Sequence, residues 1–173
     1  TLGELRDDEG LVRIAGGGIC HTDLTAIAGH VPLPLPFVLG HEGAGIVQQT
    51  GATVTALSPG DAVVLTYDAC GACPACSAGR PAYCAQFALR NSSGARPAGT
   101  TTLSGRGGTI HGSFLAQSSF ATHAIATERS AVRVETGLAT ELLGPLGCSL
   151  MTGAGAVLNV LTPGTSTPPP LWT

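Results

Sequence analysis

Apolar and polar positions along this chain point mainly to short strands joined by turns. Leu11-Val12-Arg13-Ile14-Ala15 alternates with the two-residue period of a strand, and Gly16-Gly17-Gly18 is expected to break it. His21 to Gly29 reads as a short helix ended by its glycine. Three prolines at alternate positions hold Val31 to Phe37 in an extended loop. Gly43 to Gln49 and Asp61 to Thr66 read as strands, separated by the turn-like Ser58-Pro59-Gly60. Residues 90–112 are rich in Gly, Ser and Thr and read as loop, followed by strands over Ser119 to Ala126 and Ala131 to Val134. Thr140 to Leu143 predicts a helical turn and Leu146 to Leu161 a glycine-containing helix. No internal repeat interrupts this mainly β pattern with its few short helices.

Composition narrows the function classes. The 173 residues suffice for one domain with a core, expected over residues 1–161. The hydrophobic share of 43% marks a folding chain, whereas the charged share of 11% is far below the ~25% usual for a soluble domain. With a mean hydropathy of +0.31, some of the surface is expected to be apolar and built to be covered. All eight cations are Arg, and the net charge of -3 gives no clustered positive face for nucleic acid. No apolar run reaches the ~20 residues of a membrane-spanning helix, and Thr1 to Asp8 is too polar for a signal core. The expected location is therefore cytoplasmic. A start on Thr rather than Met fits a fragment or a processed product. Residues 162–173, with three consecutive prolines and the only Trp, read as a disordered or non-native tail.

Six cysteines bring in the chemistry. Cys70, Cys73, Cys76 and Cys84 are spaced C-x2-C-x2-C-x7-C in a stretch of Gly, Ala and Pro that offers little apolar burial. Four thiolates at short loop spacings close a tetrahedron around zinc with no open position, and the metal then substitutes for a core. An iron–sulfur run would place three residues before its last Cys and Pro after it, but here the gap is seven and Ala85 follows. A redox C-x-x-C pair would need a strand-to-helix setting. Structural zinc over residues 70–84 is the reading. Cys20, His41 and Cys148 stand alone, and taken singly each is weak evidence. Together they offer two thiolates and an imidazole, the donor set of a catalytic zinc that keeps a fourth position open.

In order along the chain run Cys20-His21-Thr22-Asp23, Gly40-His41-Glu42-Gly43-Ala44-Gly45, Gly60-Asp61-Ala62-Val63-Val64, the four-cysteine stretch, and Leu146-Gly147-Cys148. This order resembles that of the zinc-dependent medium-chain alcohol dehydrogenases from about Leu11 to Leu161. The stretches from Gly112 to His123 and from Leu143 to Asn159 look most like the aryl- or benzyl-alcohol branch. The resemblance implies a GroES-like, partly open β-barrel catalytic domain. It implies two zinc ions: Cys20, His41 and Cys148 for a catalytic one, and Cys70, Cys73, Cys76 and Cys84 for a structural one. The catalytic zinc would polarise the oxygen of a small-molecule alcohol while hydride passes to NAD and leaves an aldehyde. Thr22 would relay the hydroxyl proton, or cap the following helix. Asp23 would orient His41, Glu42 would sit behind the zinc, and His21 would face the cofactor pyrophosphate.

The chain also departs from the family pattern. Thr25 stands where some relatives carry a His for proton exit. The first family strand is missing before Thr1. Gly153-Ala154-Gly155 lacks the third glycine and the preceding strand of a dinucleotide-binding turn, so the Rossmann domain is expected to be absent. Such a chain is expected to be inactive alone, and homo-oligomers are expected only of the complete enzyme. The competing readings are a non-enzymatic zinc module and an aliphatic or glutathione-adduct alcohol dehydrogenase.

Overall fold

A computed structural model describes residues 1–161, so the expectation of a disordered or non-native tail over 162–173 lies outside the described residues. Seven strands and four short α-helices make up the regular structure: β1 (Glu9–Gly18), α1 (His21–Ile27), β2 (Glu42–Thr50), β3 (Ala62–Leu65), α2 (Pro74–Ser77), α3 (Phe87–Asn91), β4 (Leu103–Gly105), β5 (Gly108–Ile110), β6 (His123–Thr127), β7 (Ala131–Arg133) and α4 (Ser149–Ala156). Five strands form one antiparallel sheet in the order β6-β1-β2-β3-β7, and β4 and β5 form a separate hairpin. Every strand pair in these sheets is antiparallel, so the described residues hold no parallel dinucleotide-binding sheet.

Alternation along β3 explains why both faces of the sheet are covered. Val63 and Leu65 point into the main core with Val12, Val47, Leu57, Ala124 and Ala126. Val64 points the other way and packs with Ala44 and Leu143. The second cluster pins the late part of the chain, including the 3-10 turns Thr140–Leu142 and Gly144–Gly147, onto β1 and onto β2, which opens at Glu42 just after His41. A bidentate pair braces the first strand, with Arg96 Nε 2.6 Å from Glu9 Oε1 and Nη2 2.6 Å from Glu9 Oε2, both residues buried.

Four local expectations are corrected. Gly16-Gly17-Gly18 does not break β1: these residues pair with Ala44, Gly43 and Glu42 to the end of the strand. The glycines allow close approach, because a Cβ on Gly16 would run into the Glu141 carbonyl and lie 2.7 Å from the Glu141 Cα. Residues 90–112 are not wholly loop, since α3 ends at Asn91 and the β4–β5 hairpin lies at 103–110. The strand expected from Ser119 starts only at His123, after a segment with positive φ at Ser113, Leu115, Ala116 and Ser118. The late helix is also subdivided, into a 3-10 turn, α4, and a π-helical turn over Val157–Leu161.

No helix among the described residues is long and apolar enough to cross a membrane. Large apolar side chains are nevertheless exposed, among them Ile19, Ile27, Leu142, Leu158 and Val160, in keeping with the high hydropathy.

Replacing Gly16 with Ala is expected to cost about 1–3 kcal/mol of stability through overpacking against the 140–142 turn. Gly10→Ala, whose new methyl would meet nothing nearer than 3.6 Å, should fall well below that in the same urea titration.

Candidate metal site

Three distant parts of the chain meet at one point. Cys20 caps α1, His41 immediately precedes β2, and Cys148 precedes α4. One donor atom from each lies within 4.8 Å of the other two. Asp23 organises the first two. Fully buried, it accepts the Cys20 backbone N–H at Oδ2 (3.1 Å) and the Gly40 N–H at Oδ1 (3.1 Å), and Oδ1 also lies 3.2 Å from His41 Nδ1. With Nδ1–H donating to the carboxylate, the neutral ring keeps its lone pair on Nε2. That nitrogen is buried and has no hydrogen-bond partner. A buried polar atom left alone costs about 1–3 kcal/mol, and a cation held between it and the two sulfurs would remove that cost. Phe114 holds the ring edge-to-face at 5.5 Å.

Gln117 clamps the His41 backbone on both sides. Its side-chain N–H donates to the His41 carbonyl (2.8 Å), and its oxygen accepts the Gly43 N–H (3.0 Å). Glu42 reaches under the cluster, where Oε1 accepts the Ser149 backbone N–H (3.1 Å) and the Ser149 hydroxyl. A Cβ on Gly18 would lie 3.2 Å from the Glu42 Cβ and run into its carboxylate. Burial, then the Cys20 charge and the Glu42 carboxylate, push the Cys148 thiol up to about 12. A concentration of acidic groups of this kind suits a cation.

Thr22 and His21 lie exposed on the first turn of α1, with Thr22 Oγ1 3.8 Å from Cys20 Sγ. Cys20, not Thr22, is the N-cap of that helix, which corrects the capping alternative. Above the cluster opens a cavity of about 350 Å³ whose floor includes His41 and Cys148 and whose walls include Tyr67, Phe87, Leu115 and Met151. Sequence reasoning missed these wall residues, as it missed Gln117 and Ser149. None sits in a spacing motif, although Leu115, Gln117, Ser149 and Met151 fall within the stretches 112–123 and 143–159 that resemble the aryl- or benzyl-alcohol branch.

The four-cysteine lobe is a second cluster, with its sulfurs mutually within 4.8 Å. Backbone N–H groups of Cys70 and Gln86 donate to Cys84 Sγ (3.3 and 3.4 Å), that of Cys73 to Cys70 Sγ (3.3 Å), and that of Ala85 to Cys73 Sγ (3.5 Å). Donors aimed at sulfur favour thiolates. The Ala85 and Cys76 N–H groups draw the Cys73 thiol down to about 6, while burial raises that of Cys76 to about 12. At its base, Asn91 donates to the Asp68 and Phe87 carbonyls and accepts the Asp68 N–H, each at 2.9 Å. Arg90 pairs with Asp68 at 2.6 Å.

An antiparallel half-barrel with one closed thiol cluster and one open Cys/His/Cys cluster defines a β domain suited to hold metal at two points. Residues 6–136 match the alcohol dehydrogenase GroES-like domain, and the chain belongs to that family of zinc-dependent alcohol dehydrogenases. It is 51% identical over 157 residues to geraniol dehydrogenase of Castellaniella defragrans, which covers 90% of this chain and 42% of that protein. Among solved structures it is similar to an alcohol dehydrogenase zinc-binding domain protein from Burkholderia ambifaria (TM-score 0.90, 51% identity, 93% of this chain and 44% of that one). It is also similar to benzyl alcohol dehydrogenase from Acinetobacter calcoaceticus (TM-score 0.87, 47% identity, 93% and 43%). The chain thus spans less than half the length of these relatives.

The cluster thiols give metal uptake a pH dependence. With its thiol pushed up to about 12, Cys148 must release a proton to coordinate, so affinity at the Cys20–His41–Cys148 cluster should rise with pH throughout the neutral range. Chelator competition between pH 6.5 and 8.5 is expected to show a contribution of about tenfold per pH unit from this one proton. Asp23→Asn should lower the affinity of the same cluster by roughly 10–100-fold without changing that of the lobe.

Proposed function

We propose that this chain is the zinc-binding, alcohol-holding part of a dehydrogenase that oxidises a primary alcohol to its aldehyde, with hydride passing to NAD. The observation that carries the reading is the convergence of Cys20, His41 and Cys148 beneath an apolar cavity, with the His41 Nε2 lone pair buried and unpartnered. These three residues would hold a catalytic zinc, and Cys70, Cys73, Cys76 and Cys84 would hold a structural one. Zinc supplies Lewis acidity toward the alcohol oxygen when bound.

The chain's own residues do the rest. Asp23 keeps the His41 ring in one tautomer and orientation, so that Nε2 and not Nδ1 would be the atom offered to the metal. Glu42, braced by Ser149, fixes the base of α4 and with it Cys148. Thr22, exposed beside Cys20, accepts the hydroxyl proton and passes it straight to water. Thr25 takes no part in that relay, since its hydroxyl donates to the His21 carbonyl (2.9 Å). His21, on the same exposed turn, would meet the cofactor phosphates. A wall of Tyr67, Phe87, Leu115 and Met151 favours an aromatic or allylic alcohol. The relatives' names support this choice, because benzyl alcohol and geraniol both carry a CH2OH beside a π system. No dinucleotide-binding sheet lies among the described residues, so tight nicotinamide binding would have to come from outside them.

Elemental analysis of the purified chain is expected to find two zinc ions per chain, and one in His41→Ala. Two zinc ions in His41→Ala would sink the catalytic assignment and leave the Cys20 cluster without a metal role. A single zinc ion in the unaltered chain, lost only on changing the lobe cysteines, would favour the zinc-module reading.

A further inference from the structure

The alcohol cavity borrows part of its wall from the four-cysteine lobe. Ala82, between Cys76 and Cys84, and Phe87, three residues past Cys84, both line it, and so does Tyr67, just ahead of Cys70. Cys84 governs where these residues stand. Its carbonyl accepts the Phe87 N–H (2.9 Å), and its sulfur accepts the N–H groups of Gln86 and of Cys70. Asn91 fixes the Phe87 carbonyl from the far side, and the Phe87 ring rests on Tyr67 with centroids 5.5 Å apart. The lobe between residues 70 and 84 is Gly-, Ala- and Pro-rich, and Cys84 is its only buried residue past Cys70. Little apolar packing therefore holds Cys84 in place, and the four sulfurs drawn together do so instead.

We propose that the metal of the four-cysteine lobe sets the shape of the alcohol cavity, so that the lobe selects substrate as well as stabilising the fold. With the sulfurs bridged, Ala82 and Phe87 are held against Tyr67 as a fixed wall for a flat, unsaturated alcohol. With the bridge lost, Cys84 is released, the Phe87 ring comes away from Tyr67, and the cavity loses one side while the Cys20–His41–Cys148 cluster stays intact. This rests on the alcohol-site reading given above.

Fluorine NMR titration of the full chain with 4-fluorobenzyl alcohol tests the coupling, with zinc content measured on each sample. Cys76→Ser is expected to retain one zinc ion and to bind the probe roughly tenfold more weakly, as Phe87→Ala should, which is the loss of one aromatic contact face. The double variant should show little further loss, because both changes remove the same wall. Wild-type affinity in Cys76→Ser, or losses that simply add, would overturn the proposal. If Cys76→Ser does not fold, Ala82→Leu with all cysteines intact decides: a shift in preference from 4-fluorobenzyl alcohol toward 2,2,2-trifluoroethanol supports it, and an unchanged preference overturns it. Failure of the unaltered, two-zinc chain to bind the probe would instead overturn the alcohol-site reading itself.

Discussion

One buried carboxylate holds the site together. Asp23 receives an N–H from the loop that carries Cys20, an N–H from the loop that carries His41, and the imidazole itself. A carboxylate with no solvent exposure is costly unless its oxygens are occupied. Here the donors that occupy them come from the two loops that bring the Cys20 sulfur and the His41 ring together. Desolvation and function therefore constrain the same geometry, and neither loop can shift without stranding a charge.

The third donor is brought in by packing. Leu143 buries against Ala44 and Val64, the 3-10 turns press onto the glycine end of β1, and Glu42 catches the start of α4 through Ser149. Small residues let this happen, because Gly16 and Gly18 leave room where side chains would hold the layers apart. A polar bond and an apolar cluster thus deliver Cys148 to a point already defined by Asp23.

The sequence made the chemistry legible sooner than the shape. Cysteine spacing within 70–84 announced a closed cluster because the ligands are local, and the structure brings their sulfurs together. Cys20, His41 and Cys148 could be paired only through the motifs around them, since no spacing rule links residues so far apart. The glycine run at 16–18 was read as a strand breaker because intrinsic propensity disfavours glycine in strands. Tertiary contact with Glu141 overrode that preference. The cavity wall was invisible for a related reason: Tyr67, Phe87, Leu115 and Met151 come from four separate segments, and the segment with Leu115 adopts positive φ that no turn residue signals. Gln117, the clamp on His41, belongs to that same segment.

The two clusters also differ in when they can be completed. All four sulfurs of the lobe are in hand as soon as Cys84 has been synthesised, and closing so short a loop costs little entropy. The other cluster waits for Cys148, and until then Cys20 and His41 can present only two donors. During synthesis, N-terminal segments emerge first at about 5–20 residues per second, so the lobe's four sulfurs are together for several seconds before Cys148 is made. Were both clusters to take metal, the closed one could load early and the open one only last.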